Sequence, residues 1–302
     1  MTNLKRKRSF ASLIGFRKKS VSEQVLYTLV FLFFAAVAFS YAFVFVWCVY
    51  AGMRVWDNAF IAQKLAFKFS AIDGISNFAQ IFSKFTISGK YNFITMFFNS
   101  MYFSFLGPFC CIFVTSAFAY VTNKYKFFGS KAIYFIVFIV ITLQIYGSGA
   151  AMYKLLYNTG IINSYFMILT SLNGFSIYYL YFYAFFSGVS WSYAEAAEID
   201  GANEWQIYFR VMLPQSVAMF GSLFLMLWIA DWNNYSSALL YLYEKPTLAV
   251  GIYRFHMDAV RIDNGYGYLF AACTVTTLPP LILFMICNGL LLSNVSLGGI
   301  KE

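Results

Sequence analysis

Glu195, Glu198 and Asp200 stand close together in Tyr193-Ala-Glu-Ala-Ala-Glu-Ile-Asp-Gly-Ala202, a polar island in a chain that is 61% hydrophobic and 11% charged. The chemistry this pattern suits is contact. Glu195 and Glu198 are three apart and so neighbours on one helical face, and with Asp200 they can form charge-assisted hydrogen bonds to a basic partner surface. Ala196, Ala197 and Ala202 present small surfaces that can enter a groove. Alanine and glutamate favour helix, Gly201 supplies a turn, and Pro214, at the end of Arg210-Val-Met-Leu213-Pro214, suits the first turn of a following helix. The segment predicts two short helices joined by a bend.

The tools of catalysis are missing. Gly89-Lys90 and Gly129-Ser-Lys131 are only fragments of a phosphate-binding loop, so the chain is not expected to bind ATP itself. It has no Gly-x-Ser-x-Gly elbow, and a single histidine, His256, excludes both a His-Glu-x-x-His motif and a histidine metal cluster. His256 reads as a polar loop residue. Cys48, Cys110, Cys111, Cys273 and Cys287 lie in apolar runs without a C-x-x-C pair, as packing residues do. The apolar runs also lack the buried acids and bases of ion-coupled transporters. No catalytic residue, cofactor or metal ligand is expected, so any energy the chain uses must come from elsewhere.

The elements around the polar island are apolar spans. A membrane core of about 30 Å needs roughly 20 apolar residues in a helix, and six runs qualify: 26–50, 97–121, 132–153, 165–186, 216–229 and 269–292. The fold class expected is an all-α polytopic membrane protein. Lys5, Arg6, Lys7, Arg8, Arg17, Lys18 and Lys19 precede the first run, which puts the N-terminus in the cytoplasm; six spans return the C-terminus there. Lys124, Lys126, Lys131 and the Glu195 loop are then cytoplasmic, while Arg54, Lys64, Lys68, Lys84, Lys90, Lys154, Lys245, Arg254 and Arg261 face outward. The first run is too long for a signal peptide and lacks a small-residue cleavage site, so it is expected to be retained. Orientation also accounts for the net charge of +9, and nucleic acid is not an expected partner. The divisions are a basic tail (1–25), a first span (26–50), an extracytoplasmic segment (51–92), a compact helical block (93–295) holding the polar loop at 187–215, and a C-terminal tail (296–302).

The ordered pattern Glu195-Ala-Ala197, Asp200-Gly-Ala202 and Leu213-Pro214 resembles the EAA loop of ABC importer permeases. Asn99-Ser100 resembles the start of that family's shared transmembrane domain. Asp231-Trp232-Asn233-Asn234 resembles a Trp-Asn segment of sugar permeases, and Gly298-Gly-Ile-Lys301 resembles their ending. The resemblance covers the last two-thirds of the chain. It implies a type-1 permease fold in a bacterial or archaeal cytoplasmic membrane, one half of a pore completed by a second homologous permease subunit. It also implies ABC ATPase subunits, which use ATP and Mg and dock at Glu195 to Ala202, and an extracytoplasmic solute-binding protein approaching the outer loop 236–267. The resemblance is to carbohydrate permeases of the maltose and multiple-sugar class, in their second subunit, and a carbohydrate is the implied cargo.

Aromatic faces stack on sugar rings and amides or carboxylates bond hydroxyls, so Tyr146, Tyr153, Trp228, Asp231, Trp232 and Asn233 are substrate-path candidates, with Tyr157 beside them. In a chain that is 22% aromatic, packing and interfacial belts are the competing reading. Gly107-Pro108, Gly147, Gly149 and Pro279-Pro280 are sites for a hinge or a fixed kink. The alternatives are an importer for peptides, polyamines or another non-sugar solute, an autonomous channel or secondary transporter, and a membrane-embedded enzyme.

Overall fold

The computed structural model describes residues 20–54, 75–125, 127–143 and 148–297. Residues 1–19 of the basic tail, residues 55–74 of the 51–92 segment, Lys126, Tyr146, Gly147 and the Gly298 to Lys301 ending lie outside them. The chain divides into two compact units, Met1–Ala51 and Gly52–Glu302.

The first unit is built on α1 (Val21–Gly52). Ser20 and Glu23 cap it reciprocally, the Ser20 amide donating to the Glu23 carboxylate at 3.0 Å and the Glu23 amide to Ser20 Oγ at 3.4 Å. Leu26, Phe31, Phe33, Phe39 and Val46 are all exposed, the surface of a helix solvated by lipid.

The second unit begins with α2 (Ser76–Lys84) and a short antiparallel hairpin, β1 (Thr86–Ile87) with β2 (Tyr91–Asn92). Ser88 and Gly89 close the hairpin with φ of 52° and 63°, the paired positive values a tight right-twisted turn needs. The expected all-helical class therefore has one small exception. Asn92 then accepts the Thr95 amide at 2.9 Å and starts α3 (Phe93–Lys124), the axis of the unit.

After α3 come α4 (Ser130–Thr142), α5 (Ser148–Asn158), a 3-10 turn (Tyr165–Ser171) and α6 (Ile177–Gly188). The polar loop holds α7 (Ser192–Ile199), α8 (Glu204–Ile207), a π turn (Tyr208–Met212) and α9 (Leu213–Gln215). The chain ends with α10 (Val217–Trp232), α11 (Tyr235–Tyr241), α12 (Leu248–Asp258) and α13 (Gly265–Leu297).

The two halves of α3 serve two cores. Phe93 and Met96 join Phe85, Trp228, Trp232, Leu248, Phe255 and Ala272, with Phe85 and Phe255 stacked at 4.4 Å. Ile112, Ala119 and Tyr120 join Tyr179, Phe182, Phe186, Tyr208 and Met212, where the Thr122 and Tyr179 hydroxyls lie 3.0 Å apart. Between apolar helices in lipid, such close packing and interhelical hydrogen bonds supply the cohesion. Asn99 and Ser100 reach across to the head of α12. Asn99 Nδ2 donates to the Pro246 carbonyl at 3.1 Å, and the Leu248 amide donates to Ser100 Oγ at 2.7 Å. Buried backbone groups that would otherwise lack partners there are satisfied by these side chains.

Among the described residues three helices are long and apolar enough to cross a membrane: α1, α3, and α13 over Gly265–Gly289. A fourth is added if Glu204–Gln215 and Val217–Trp232, bent by 73°, are one span. Among the described residues six unbroken spans are not seen. The expected third run is divided, α4 ending at Thr142 and α5 starting at Ser148. The expected fourth is divided between the 3-10 turn and α6, because Asn173 Oδ1 accepts the Phe175 amide at 2.9 Å and offers the backbone a local turn in place of the helix. Pro108, Pro279 and Pro280 sit inside α3 and α13, which continue through them.

Candidate functional site

The polar loop is a capped helix, a reversal and a bend. The last turn of α7 closes with the Gly201 amide donating to the Glu198 carbonyl at 3.0 Å and the Ala202 amide to the Ala197 carbonyl at 2.9 Å. This is the double bond pattern of a Schellman C-cap, with Gly201 in the left-handed position at φ +82°. Asn203 and Gln206 then cap α8 reciprocally, both bonds at 2.9 Å. The Leu213 amide donates to the Tyr208 carbonyl, five residues back. Pro214 has no N–H to offer Arg210, so the ordinary helical ladder is interrupted there, and the 73° bend follows at Ser216.

Glu195, Ala196, Glu198, Asp200, Gly201 and Pro214 are exposed on this loop. Ala197, Ala202 and Leu213 are half-buried and pack against the core of Tyr179, Phe182 and Tyr208, so of the three alanines only Ala196 offers its face outward. Ile199 at 86% exposure and Trp205 at 73% are apolar side chains on the loop surface that the sequence pattern does not single out. Glu195 and Glu198 line an open groove of about 1070 Å³ together with Lys124, Lys131 and Trp191. Beside it, Lys124 Nζ donates to Glu204 Oε2 at 2.8 Å, and this hydrogen bond, followed by one from Tyr125, holds the Glu204 carboxyl below its ordinary range. Deeper in, the Ser116 and Tyr208 hydroxyls meet at 2.7 Å.

The substrate-path candidates separate into two groups. Trp228 and Trp232, one turn apart on α10, stack at 5.0 Å and face the first core; Trp232 Nε1 donates to the Thr276 carbonyl at 3.2 Å. Asp231 points elsewhere, into a cavity of about 230 Å³ that Thr170, Ser171, Asn234, Ser237 and Tyr241 also line. Among the described residues no side chain donates a hydrogen bond to its carboxylate. Gly107 keeps the cavity open: a Cβ there would lie 3.2 Å from Ser171 Oγ and 3.4 Å from Asp231 Oδ2. Tyr153 stacks on Tyr241 at 6.3 Å, Tyr157 is exposed, and Asn233 is exposed with its amide donating to the Ile229 carbonyl at 2.8 Å. Among the described residues no three His, Cys, Asp or Glu side chains gather as metal ligands.

No family model matches the chain. Over 184 residues it is 28% identical to the diacetylchitobiose uptake system permease protein NgcG of Streptomyces coelicolor, a match spanning 60% of this chain and 61% of that protein. It is 24% identical over 219 residues to the arabinooligosaccharides transport system permease protein AraQ of Bacillus subtilis, covering 72% and 77% of the two chains. The lactose transport system permease protein LacG of Rhizobium radiobacter matches at 22% over 247 residues, covering 82% and 86%. Among solved structures, a chain of a bacterial ABC transporter involved in the import of the acidic polysaccharide alginate superposes with a TM-score of 0.72 at 19% identity, over 90% of this chain and 98% of that one. The chain thus resembles the permeases of sugar ABC transport systems in sequence and shares the fold of an ABC importer permease.

Proposed function

We propose that this chain is the membrane-spanning permease subunit of an ATP-driven importer for a sugar or oligosaccharide, in a bacterial or archaeal cytoplasmic membrane. The observation that carries the reading is the loop from Glu195 to Pro214: a C-capped helix with exposed carboxylates, joined to the transmembrane helices. A partner ATPase with a basic-rimmed groove is the complement of that surface, and ATP with Mg belongs to it; this chain itself is non-catalytic. Six spans with both termini cytoplasmic remain the proposed topology, α4 with α5 and the 3-10 turn with α6 serving as interrupted third and fourth spans. Backbone breaks are tolerated at membrane depth where protein or a water-filled cavity covers them.

A second homologous permease completes the pore, and a solute-binding protein delivers cargo to the outer face near His256. Carbohydrate cargo is supported by relatives whose names specify diacetylchitobiose, arabinooligosaccharides and lactose. Asp231, with Asn234 and Ser237, is the polar group set suited to hydroxyls in the path. Reconstitution with the ATPase, the second permease and the binding protein tests the whole: sugar-loaded binding protein should stimulate ATP hydrolysis. A binding protein that ignores mono- and oligosaccharides and takes peptides or polyamines overturns the cargo alone. A cysteine beside Glu195 should resist an impermeant thiol reagent added outside, and one beside His256 should react; the reverse overturns the topology.

A further inference from the structure

Chain-wise, the exit from the polar loop is its least regular stretch. A π turn, a proline without an N–H and a 73° bend separate α8 from α10. A helix interrupted in this way has lost the continuous hydrogen-bond ladder that makes a helix a stiff rod. Sideways, the same segment is fastened at two points to α3. The Tyr208 and Ser116 hydroxyls meet at 2.7 Å with both residues buried, and Lys124 bridges to Glu204 at 2.8 Å at the rim.

On α3 these attachments are eight residues apart, about 12 Å, and on the loop four residues apart, about 6 Å. Two separated attachments fix direction as well as distance, which a single contact cannot do. The same end of α3 is also fastened to α6, Asn123 Nδ2 donating to Ser187 Oγ at 2.6 Å and to the Tyr183 carbonyl at 3.3 Å. Further along α3 stands Gly107, against the Asp231 cavity. A displacement of the loop therefore has a packed route to that cavity, beside a weakened covalent one.

We infer that Lys124 and Glu204 are positioning residues for coupling: with Tyr208 and Ser116 they oblige the 204–212 segment to move with α3, and motion received at the loop reaches the Asp231 cavity through α3. The inference rests on the docking function proposed above. Neither residue touches nucleotide or cargo; each acts by holding one element to another.

The test uses the full complex in liposomes and a small methanethiosulfonate reagent as probe. Ser237→Cys places a thiol in the cavity lining, with the same chain lacking that substitution as the control for the native cysteines. The reading is the ratio of its labelling rate with ATP and vanadate to that without nucleotide. Lys124→Glu and Glu204→Lys should each bring the ratio about two- to five-fold closer to one, the factor corresponding to loss of a partly exposed ion pair. The exchanged pair, carrying both substitutions, should restore it. Tyr208→Phe, which leaves Ser116 Oγ bonded to the Phe113 carbonyl at 3.0 Å, should shift the ratio the same way without a charge change.

Single variants that keep the parent ratio while the ATPase stays bound overturn the inference and leave docking intact. An exchanged pair as defective as the singles overturns it as well. An unmodified chain that neither retains the ATPase nor shows nucleotide-dependent labelling removes the docking function and the inference together.

Discussion

Substitution of Gly201 isolates one physical term. Its φ of +82° is a conformation L-residues avoid, and a Cβ built there would meet nothing within 4 Å. Any cost within the chain is therefore backbone strain and not collision. An L-residue held left-handed costs roughly 1–2 kcal/mol, less for asparagine and more for a β-branched side chain. Two hydrogen bonds of the C-cap depend on that conformation, those to Glu198 and Ala197. If the loop must be capped to dock, 1 kcal/mol lowers the docking-competent fraction relative to the uncapped one about five-fold. The expected order of ATPase affinity, read by titrating the purified ATPase against permease in nanodiscs, is Gly, then Asn, then Ala, then Val. Asparagine is larger than alanine, so a defect caused by bulk at the partner surface places Asn below Ala. That inversion, or equal affinity for all four, refutes the reasoning from φ.

Gly107→Ala should improve helix propensity by up to about 1 kcal/mol yet place a methyl against Ser171 Oγ and Asp231 Oδ2; thermal stability is expected to hold or rise while labelling of a cysteine at Ser237 slows. Trp232→Ala should act in the opposite sense, lowering thermal stability by about 3–5 kcal/mol as buried aromatic truncations do, with uptake falling in proportion to folded protein measured by size-exclusion chromatography. Asp231→Asn, which keeps the shape of the cavity, should leave the melting point near the parent and change uptake; a variant equal to parent in both rules out a role for the carboxylate.

The parts of this molecule that are legible in the sequence are those where a local rule is sufficient. Gly201 reads as a turn because the residue alone frees φ, and the fold places it left-handed at the end of α7. Asn99-Ser100 is visible only as a pattern; its structural role, satisfying the backbone at Pro246 and Leu248, depends on a contact nearly 150 residues away in the chain, which no spacing rule reaches. The broken third and fourth runs read as continuous because hydropathy registers composition and not backbone direction. The one local signal of the second break is Asn173-Gly174, whose turn chemistry is hidden inside an apolar window.

The substrate-path candidates show the same boundary more sharply. Along α10, Trp228 and Trp232 are four apart and share a face, whereas Asp231, one residue from Trp232, is turned by about 100°. Sequence assigns all three to one aromatic and polar constellation, since a tryptophan suits a sugar face and a helix core equally well. What separates them is the identity of the neighbours: α13 offers the Thr276 carbonyl to Trp232, while Gly107, by lacking a side chain, leaves Asp231 a cavity instead of a partner. The aromatic rings therefore set where α10 sits, and the carboxylate is what that placement exposes to the cavity. A helix that must do both explains why a charged residue is tolerated beside a stacked indole pair: the two demands fall on different faces of the same turn.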